Sequence, residues 1–310
     1  MVGPMERPMH ALSQPYDTER ALRALSRLHG GRCFSGRAEA LSFLETWKDS
    51  SLEELRAQAG TDEAEEAQEL AFQALEAERP AEALPLAHRA LQLDPDCVDA
   101  LVVQVRCEAT RPAEAASRLK ALLRRAEALV DEGLLRSRQG LLWGVLEARP
   151  LMRLRLALAE ALEAAGRPKA ALSVLEELLQ MDEEDPLEAR RRLVLLYLRL
   201  GRGASLRALL DAFPGNRDAF LHWAEALALL RAFLDAATER NEHAARLALE
   251  RARAANPFFE AFLTGQQKPP RREPTSPEPG SPEEGAQLLQ QLGPAWTADR
   301  PALYWLFRNA

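Results

Sequence analysis

The 310-residue chain is short of what most function classes need. It has three cysteines, Cys33, Cys97 and Cys107, at spacings that fit no metal site, and an odd number cannot all pair. That argues against a disulfide scaffold and for a reducing compartment. The most apolar run, Leu193–Leu200, is broken by Arg199, whereas a membrane span takes roughly 20 apolar residues. The N-terminus carries no apolar stretch of the kind a signal peptide uses, so the expectation is a soluble cytoplasmic protein without membrane association. Nor is there an excess of positive charge: the net charge is -7 and the pI about 5.5. A bulk electrostatic grip on nucleic acid is disfavoured.

The groups that do chemistry are scattered. His10, His29, His88, His222 and His243 form no HExxH pair and have no carboxylate at ligand spacing. Gly201-Arg202-Gly203 is a helix-turn signal, because no strand precedes it to make a phosphate loop. No serine or cysteine nucleophile motif occurs, and Cys97 and Cys107 read as fillers of small core sites. Glu176-Glu177 and Asp182–Asp185 read as a solvated helix face and its end. The expectation is a non-enzyme, with no catalytic, cofactor-binding or metal-binding residue.

What the chain does have is Ala, Leu, Glu and Arg, with few aromatic or β-branched residues, and this favours helix nearly throughout. The informative stretch is Leu151–Asp185. Leu154, Leu158, Ala161, Leu162 and Ala165 recur at three- and four-residue spacing and share one helix face. Gly166 suits a helix C-terminus and Pro168 the start of the next helix. Ala171, Leu172, Leu175, Leu178 and Leu179 make the second face. This spacing resembles the tetratricopeptide repeat.

Similar units run over Ala64–Pro95, Val98–Val130, from Pro186 through a turn at Gly201 to Pro214-Gly215, and Asp218–Pro257. Gly166 to Gly201 is 35 residues, close to the repeat's length of about 34. The expected fold is an all-α, right-handed helical-repeat solenoid of the tetratricopeptide kind, with capping helices at both ends. Its expected segments are a disordered lead-in over 1–15, N-terminal capping helices over 16–62, the repeat array over 63–264, a proline-rich linker over 265–281 and C-terminal helices over 282–310. The first capping helix should turn Ala21, Leu22, Leu25 and Leu28 inward. Gly30-Gly31 should stop it, and Phe34, Phe43 and Trp47 should pack as ordinary core. Ser281 with Glu284 reads as a capping box. Trp296, Tyr304, Trp305 and Phe307 suggest a tail helix docking back on the array.

From Trp143 onward the chain resembles the second half of the suppressor of tumorigenicity seven family, and small bacterial tetratricopeptide proteins similar to it. The shared points are Glu147-Ala148-Arg149-Pro150 with Met152 and Arg153, the Leu-Gly-Arg turns, the Asn256-Pro257 stop, Phe262-Leu263-x-Gly265, and the helix start at Gly280–Glu284. The eukaryotic members carry membrane segments that this chain lacks. The resemblance implies no enzymatic activity and supplies no catalytic residues.

In this repeat geometry the first helix of each hairpin lines a concave groove. The candidate groove residues are Arg106, Arg149, Arg153, Leu156, Glu160, Arg191, Leu195, Leu198 and Arg199, with Asp99 and Val102 beside Arg106. Guanidinium groups grip carboxylates bidentately, so a protein or peptide partner of acidic character fits. A second reading stands beside it, in which these arginines pair within the chain, with Glu147, Glu160 and Glu188. The alternative function is a regulatory subunit or self-assembling structural protein that uses repeat edges or the aromatic tail to form a homo-oligomer.

Overall fold

The computed structural model describes residues 16–30, 37–130, 132–213, 215, 217–271 and 277–309. The lead-in expected over 1–15, with His10, lies outside them, as do Gly31, Cys33, Phe34, Pro214 and Pro274. Among the described residues the regular elements are all helical, and strand-like pairing is limited to isolated bridges joining Gly140 and Leu141 to Asp182. The architecture is an all-α helical repeat. The chain divides into two compact units, Met1–Leu187 and Glu188–Ala310.

The first unit opens with α1 (Asp17–His29), α2 (Arg37–Trp47) and α3 (Leu52–Ala59), followed by three hairpins. These are α4 (Glu63–Glu76) with α5 (Pro80–Leu93), α6 (Val98–Glu108) with α7 (Pro112–Glu127), and, after the short α8 (Glu132–Ser137), α9 (Arg149–Ala164) with α10 (Pro168–Met181). Second helices pack on the next hairpin's first helix, α5 on α6 and α7 on α9, while α4, α6 and α9 are neighbours in turn. This is nearest-neighbour stacking of repeats.

Local chemistry sets the hairpins. Pro80, Pro112 and Pro168 each stand in the first turn of a second helix, where a missing N–H costs nothing. Gly166 takes φ 70° and closes α9: Arg167 N–H donates to the Leu162 carbonyl (2.8 Å) and Gly166 N–H to the Glu163 carbonyl (3.0 Å). The same pair of bonds recurs at Gly201 (φ 67°), from Arg202 to Tyr197 and from Gly201 to Leu198. Both are helix stops that an L side chain would strain.

The interior of the first hairpins is built largely from Ala67, Ala71, Ala74, Ala83, Ala87, Ala90 and Ala100, so the helix backbones approach closely. Cys97 sits in this cluster, and burial pushes its thiol pKa up to about 12. Cys107 is only partly buried. In a Cys33→Ser background, a maleimide at neutral pH is expected to label Cys107 and leave Cys97 unmodified until the chain is unfolded, as peptide mass mapping would report.

The second unit comprises α11 (Ala189–Arg199), α12 (Gly203–Ala212), α13 (Ala219–Asp235), α14 (Glu239–Ala255), α15 (Phe258–Leu263), α16 (Pro282–Ala298) and α17 (Arg300–Arg308). Helix α13 is its axis, packed by α11, α12, α14, α16 and α17. Trp223 on α13 is fully buried, 4.7 Å from the Phe259 ring and 5.9 Å from Trp296. The tail docking expected for the aromatic C-terminus divides between residues. Trp296 is buried and Trp305 lies edge-on to Phe233, whereas Tyr304 and Phe307 are 62% and 60% exposed.

Asn256 ties α14, α15 and α16 together. Its side-chain oxygen accepts from the N–H groups of Phe258 and Phe259 (both 3.0 Å), and its Nδ2 donates to the Ser281 carbonyl (3.0 Å) and Glu284 carboxylate (2.9 Å). The capping box expected at Ser281 is half formed. Ser281 accepts from Glu284 N–H, but the Glu284 carboxylate takes the N–H of Gly280 and the Asn256 amide, with Ser281 N–H donating to the Glu278 carbonyl.

Gly285 lies against α15, where an added Cβ would meet Phe258 Cβ at 2.9 Å and Asn256 Oδ1 at 3.0 Å. Helix propensity alone favours alanine there by about 1 kcal/mol. The close approach reverses the sign: Gly285→Ala is expected to destabilise by about 1–3 kcal/mol in urea unfolding.

Candidate docking face

The face formed by α4, α6 and α9 carries the buried charged residues Asp99, Arg149 and Arg153 of the first unit. It begins at the bridge between Gly140 and Asp182. Gly140 N–H donates to the Met181 carbonyl and Glu183 N–H to the Gly140 carbonyl, both 3.0 Å. This places the Asp182 carboxylate to accept from Trp143 N–H (2.8 Å) and Glu184 N–H (3.1 Å). Asp182 is therefore buried and structural, not part of a solvated helix end. Its physical reason is the need to satisfy two loop N–H groups away from water.

Trp143, so held, lies under the Arg149 guanidinium at 4.8 Å, and Arg149 Nε donates to the Trp143 carbonyl (2.7 Å). One helical turn on, Arg153 donates through Nε to Asp99 Oδ1 (2.9 Å) and through Nη2 to Asp99 Oδ2 (2.5 Å). Its Nη1 and Nη2 reach both oxygens of Glu19 (2.8 and 3.2 Å). Gln68 of α4 donates to Asp99 (2.8 Å), and Arg149 Nη1 to Glu19 (3.4 Å). Two arginines and two carboxylates thus balance in a buried cluster: Arg153 is 8% exposed, Glu19 3% and Asp99 1%. Burial opposes the charge on Arg153, but Asp99 and Glu19 more than offset it, so the guanidinium is held protonated more firmly than usual.

Glu19 belongs to α1, which lies across this face. Tyr16, just before it, stacks on Phe72 of α4 at 5.0 Å. Arg20 donates to Glu69 (2.9 Å) and to both oxygens of Glu76 (2.8 Å each), with its guanidinium 5.3 Å from the Phe72 ring. Arg23 holds Glu65 (2.6 and 3.1 Å) and Arg27 holds Asp62 (2.6 Å). This order of partners means that α1 runs antiparallel to α4. The expected inward apolar stripe on α1 holds in part, since Ala21, Leu25 and Leu28 are half-buried on a helix packed against α3, but the most buried face is another one. Asp17, Glu19, Arg20 and Ala24 are buried, and Leu22 is 38% exposed. The surface it meets is charged, and buried charges need partners more than leucines need burial.

The other candidates fall in three places. Arg106 pairs with Glu160 across α6 and α9, both with solvent access, beside half-buried Leu156. With Tyr16, Val102, Trp143 and Leu187 they line an open cleft of about 470 Å³. In the second unit, Arg191 pairs with Asp218, reaches Gln291 of α16 (3.4 Å) and lies over the Phe220 ring (4.7 Å). Leu195 is half-buried, Leu198 is buried and Arg199 is exposed. The carboxylates facing Arg153 and Arg191 are Asp99, Glu19 and Asp218. Of the expected internal partners, Glu160 does pair with an arginine, Arg106. Sequence reasoning does not assign Tyr16, Glu19, Gln68, Phe72 or Trp143 to this site. The spacing Tyr16-x-x-Glu19-Arg20-x-x-Arg23, a charged face on an otherwise ordinary capping helix, was the available signal.

Part of the chain is similar to the tetratricopeptide repeat family model. Residues 152–193 match it. The match covers the α9/α10 hairpin and runs into α11. No curated protein and no solved structure matches the chain. Tetratricopeptide repeats are typically non-catalytic modules that bind proteins or peptides. Among the described residues, no helix is long and apolar enough to cross a membrane, and no group of three or more His, Cys, Asp or Glu side chains is arranged to hold a metal ion.

Proposed function

We propose that the chain is a non-catalytic, cytoplasmic interaction scaffold whose first unit receives a helix or peptide of a partner protein on the face of α4, α6 and α9. The observation that carries this reading is that the face already grips a helix, binding Glu19 of α1 through Arg149 and Arg153. The open cleft beside it supplies Leu156 for apolar contact and Arg106 for orientation, the helix-in-groove mode of recognition. The likeness to the suppressor of tumorigenicity seven family points the same way, since it implies no enzymatic activity.

The test is photo-crosslinking in cells of the native organism, with benzoylphenylalanine at Leu156 or at Leu247, an exposed residue of α14. Leu156 is expected to give a discrete protein adduct that Leu247 does not. Equal adduct patterns at the two positions would remove the docking face.

A second reading, self-association, is favoured by the exposed Tyr304 and Phe307 on α17. Light scattering of Tyr304→Ala/Phe307→Ala tests it, with a dimer in the parent chain and a monomer in the variant as the expected result. Deleting the whole tail is uninformative, because Trp296 belongs to the core.

A further inference from the structure

We infer that α1 is a resident ligand of the docking face, and that the partner displacing it presents a helix with the same ladder: an aromatic residue, glutamate three positions on, then arginines four, seven and eleven positions after the aromatic. The inference rests on the reading of α4, α6 and α9 as a docking face and names what that face selects.

The face is not uniformly basic. Arg149 and Arg153 stand at one end, and Glu76, Glu69, Glu65 and Asp62 follow along α4. A purely acidic peptide would satisfy the two arginines and set its remaining charges against four carboxylates. The complement is a dipolar helix, with Tyr16 over Phe72, Glu19 against α9, and Arg20, Arg23 and Arg27 along α4. Charge order also fixes direction, because reversing the helix places arginine on arginine.

Three observations make α1 exchangeable rather than a fixed part of the core. Its contacts to α4 and α9 are mainly side-chain ion pairs, whereas its close backbone packing is on α3 of the same N-terminal cap, and Ala24 is its one buried apolar residue. Such polar contact is typical of transient interfaces. The outer pairs are partly solvated: the Arg27 side chain is 30% exposed and Asp62 57%. The cleft lined by Leu156, Arg106 and Trp143 is continuous with the Tyr16 end of the helix, so an incoming segment has a foothold before α1 leaves.

The experiment titrates a fluorescent synthetic peptide, residues 16–29 with blocked ends, with the full chain and with its Glu19→Lys/Arg20→Glu/Arg23→Glu variant. In the parent chain the tethered α1 competes at an effective concentration on the order of millimolar. The charge-reversed α1 is repelled by the face and leaves it open, so the variant is expected to bind the peptide at least about tenfold more tightly. A peptide carrying the same three reversals should bind neither protein. Circular dichroism checks that the variant keeps its helix content.

A readout that needs no variant is hydrogen exchange of the parent chain. Amides of α1 should exchange at least about 100-fold faster than those of α4, α6 and α9. Equal peptide affinity in the two proteins, or α1 protected as strongly as α4, would overturn the inference. So would a variant that opens only to dimerise by exchanging α1 between copies. Failure of the docking face is read separately. If Leu156 crosslinks a partner with the same yield whether or not α1 is charge-reversed, the face stands and the role of α1 falls.

Discussion

Asp99→Ala is expected to cost the first unit about 3–5 kcal/mol, read as a lower urea midpoint by circular dichroism. Removing one partner of a buried ion pair leaves an uncompensated charge, and that penalty dominates. Asp99 is 1% exposed and takes two bonds from Arg153 and one from Gln68. Glu19 remains beside Arg153, but a single carboxylate then faces both Arg149 and Arg153. A double variant separates charge from shape. Asp99→Ala/Arg153→Met removes the orphaned cation while Glu19 keeps Arg149, so it is expected to be no less stable than Asp99→Ala alone. A double variant much weaker than the single would show that packing, not charge, holds this cluster.

The second large effect is expected at Asn256, in the opposite unit. Asn256→Asp preserves size and the oxygen that accepts from Phe258 and Phe259, but turns the donor facing Ser281 O and Glu284 into an acceptor. Each buried polar group left unsatisfied costs about 1–3 kcal/mol, and carboxylate repulsion adds to that. A loss on the order of 4 kcal/mol at neutral pH follows. Its pH dependence has a definite sign. Facing Glu284 in a site with no solvent exposure, the new carboxyl titrates higher folded than unfolded, where an aspartate pKa is about 3.9. Its destabilisation is therefore small below that value and grows as pH rises through the folded pKa. Asn256→Ala, which introduces no charge, should lose stability without that acid recovery. If Asn256→Asp were equally unstable at pH 4 and pH 7, the contact to Glu284 would not be as described.

The hairpins were legible in the sequence because their signals are local. Glycine after the last periodic residue and proline in the next first turn recur at Gly166-Arg167-Pro168, and the structure places both where a helix stop and start require them. The strip of alanines from Ala67 to Ala100 is likewise a matter of period and size. The candidate docking face was half legible. The repeat register put Asp99, Arg106 and Arg153 on the groove side of their helices, with Arg149 a further candidate, and Asp99 and Arg153 do meet. What periodicity cannot show is which distant segment crosses that side. Glu19 reaches Arg153 over 134 positions, through a helix whose leucines suggested a different inward face. Asp182 was misread for a related reason, since an acidic run looks solvated until a loop N–H 39 positions away needs an acceptor.

That last contact links chain order to cooperativity. The strap from Gly140 to Asp182 fastens both ends of the α9/α10 hairpin, so the far end of α10 cannot fray alone. Loosening at Met181 frees the indole at 143, and with it the shelf on which Arg149 rests. Thermal motion at the open end of the hairpin is thereby felt, far back in sequence at Arg149, as slack in the grip on any helix the arginine end holds.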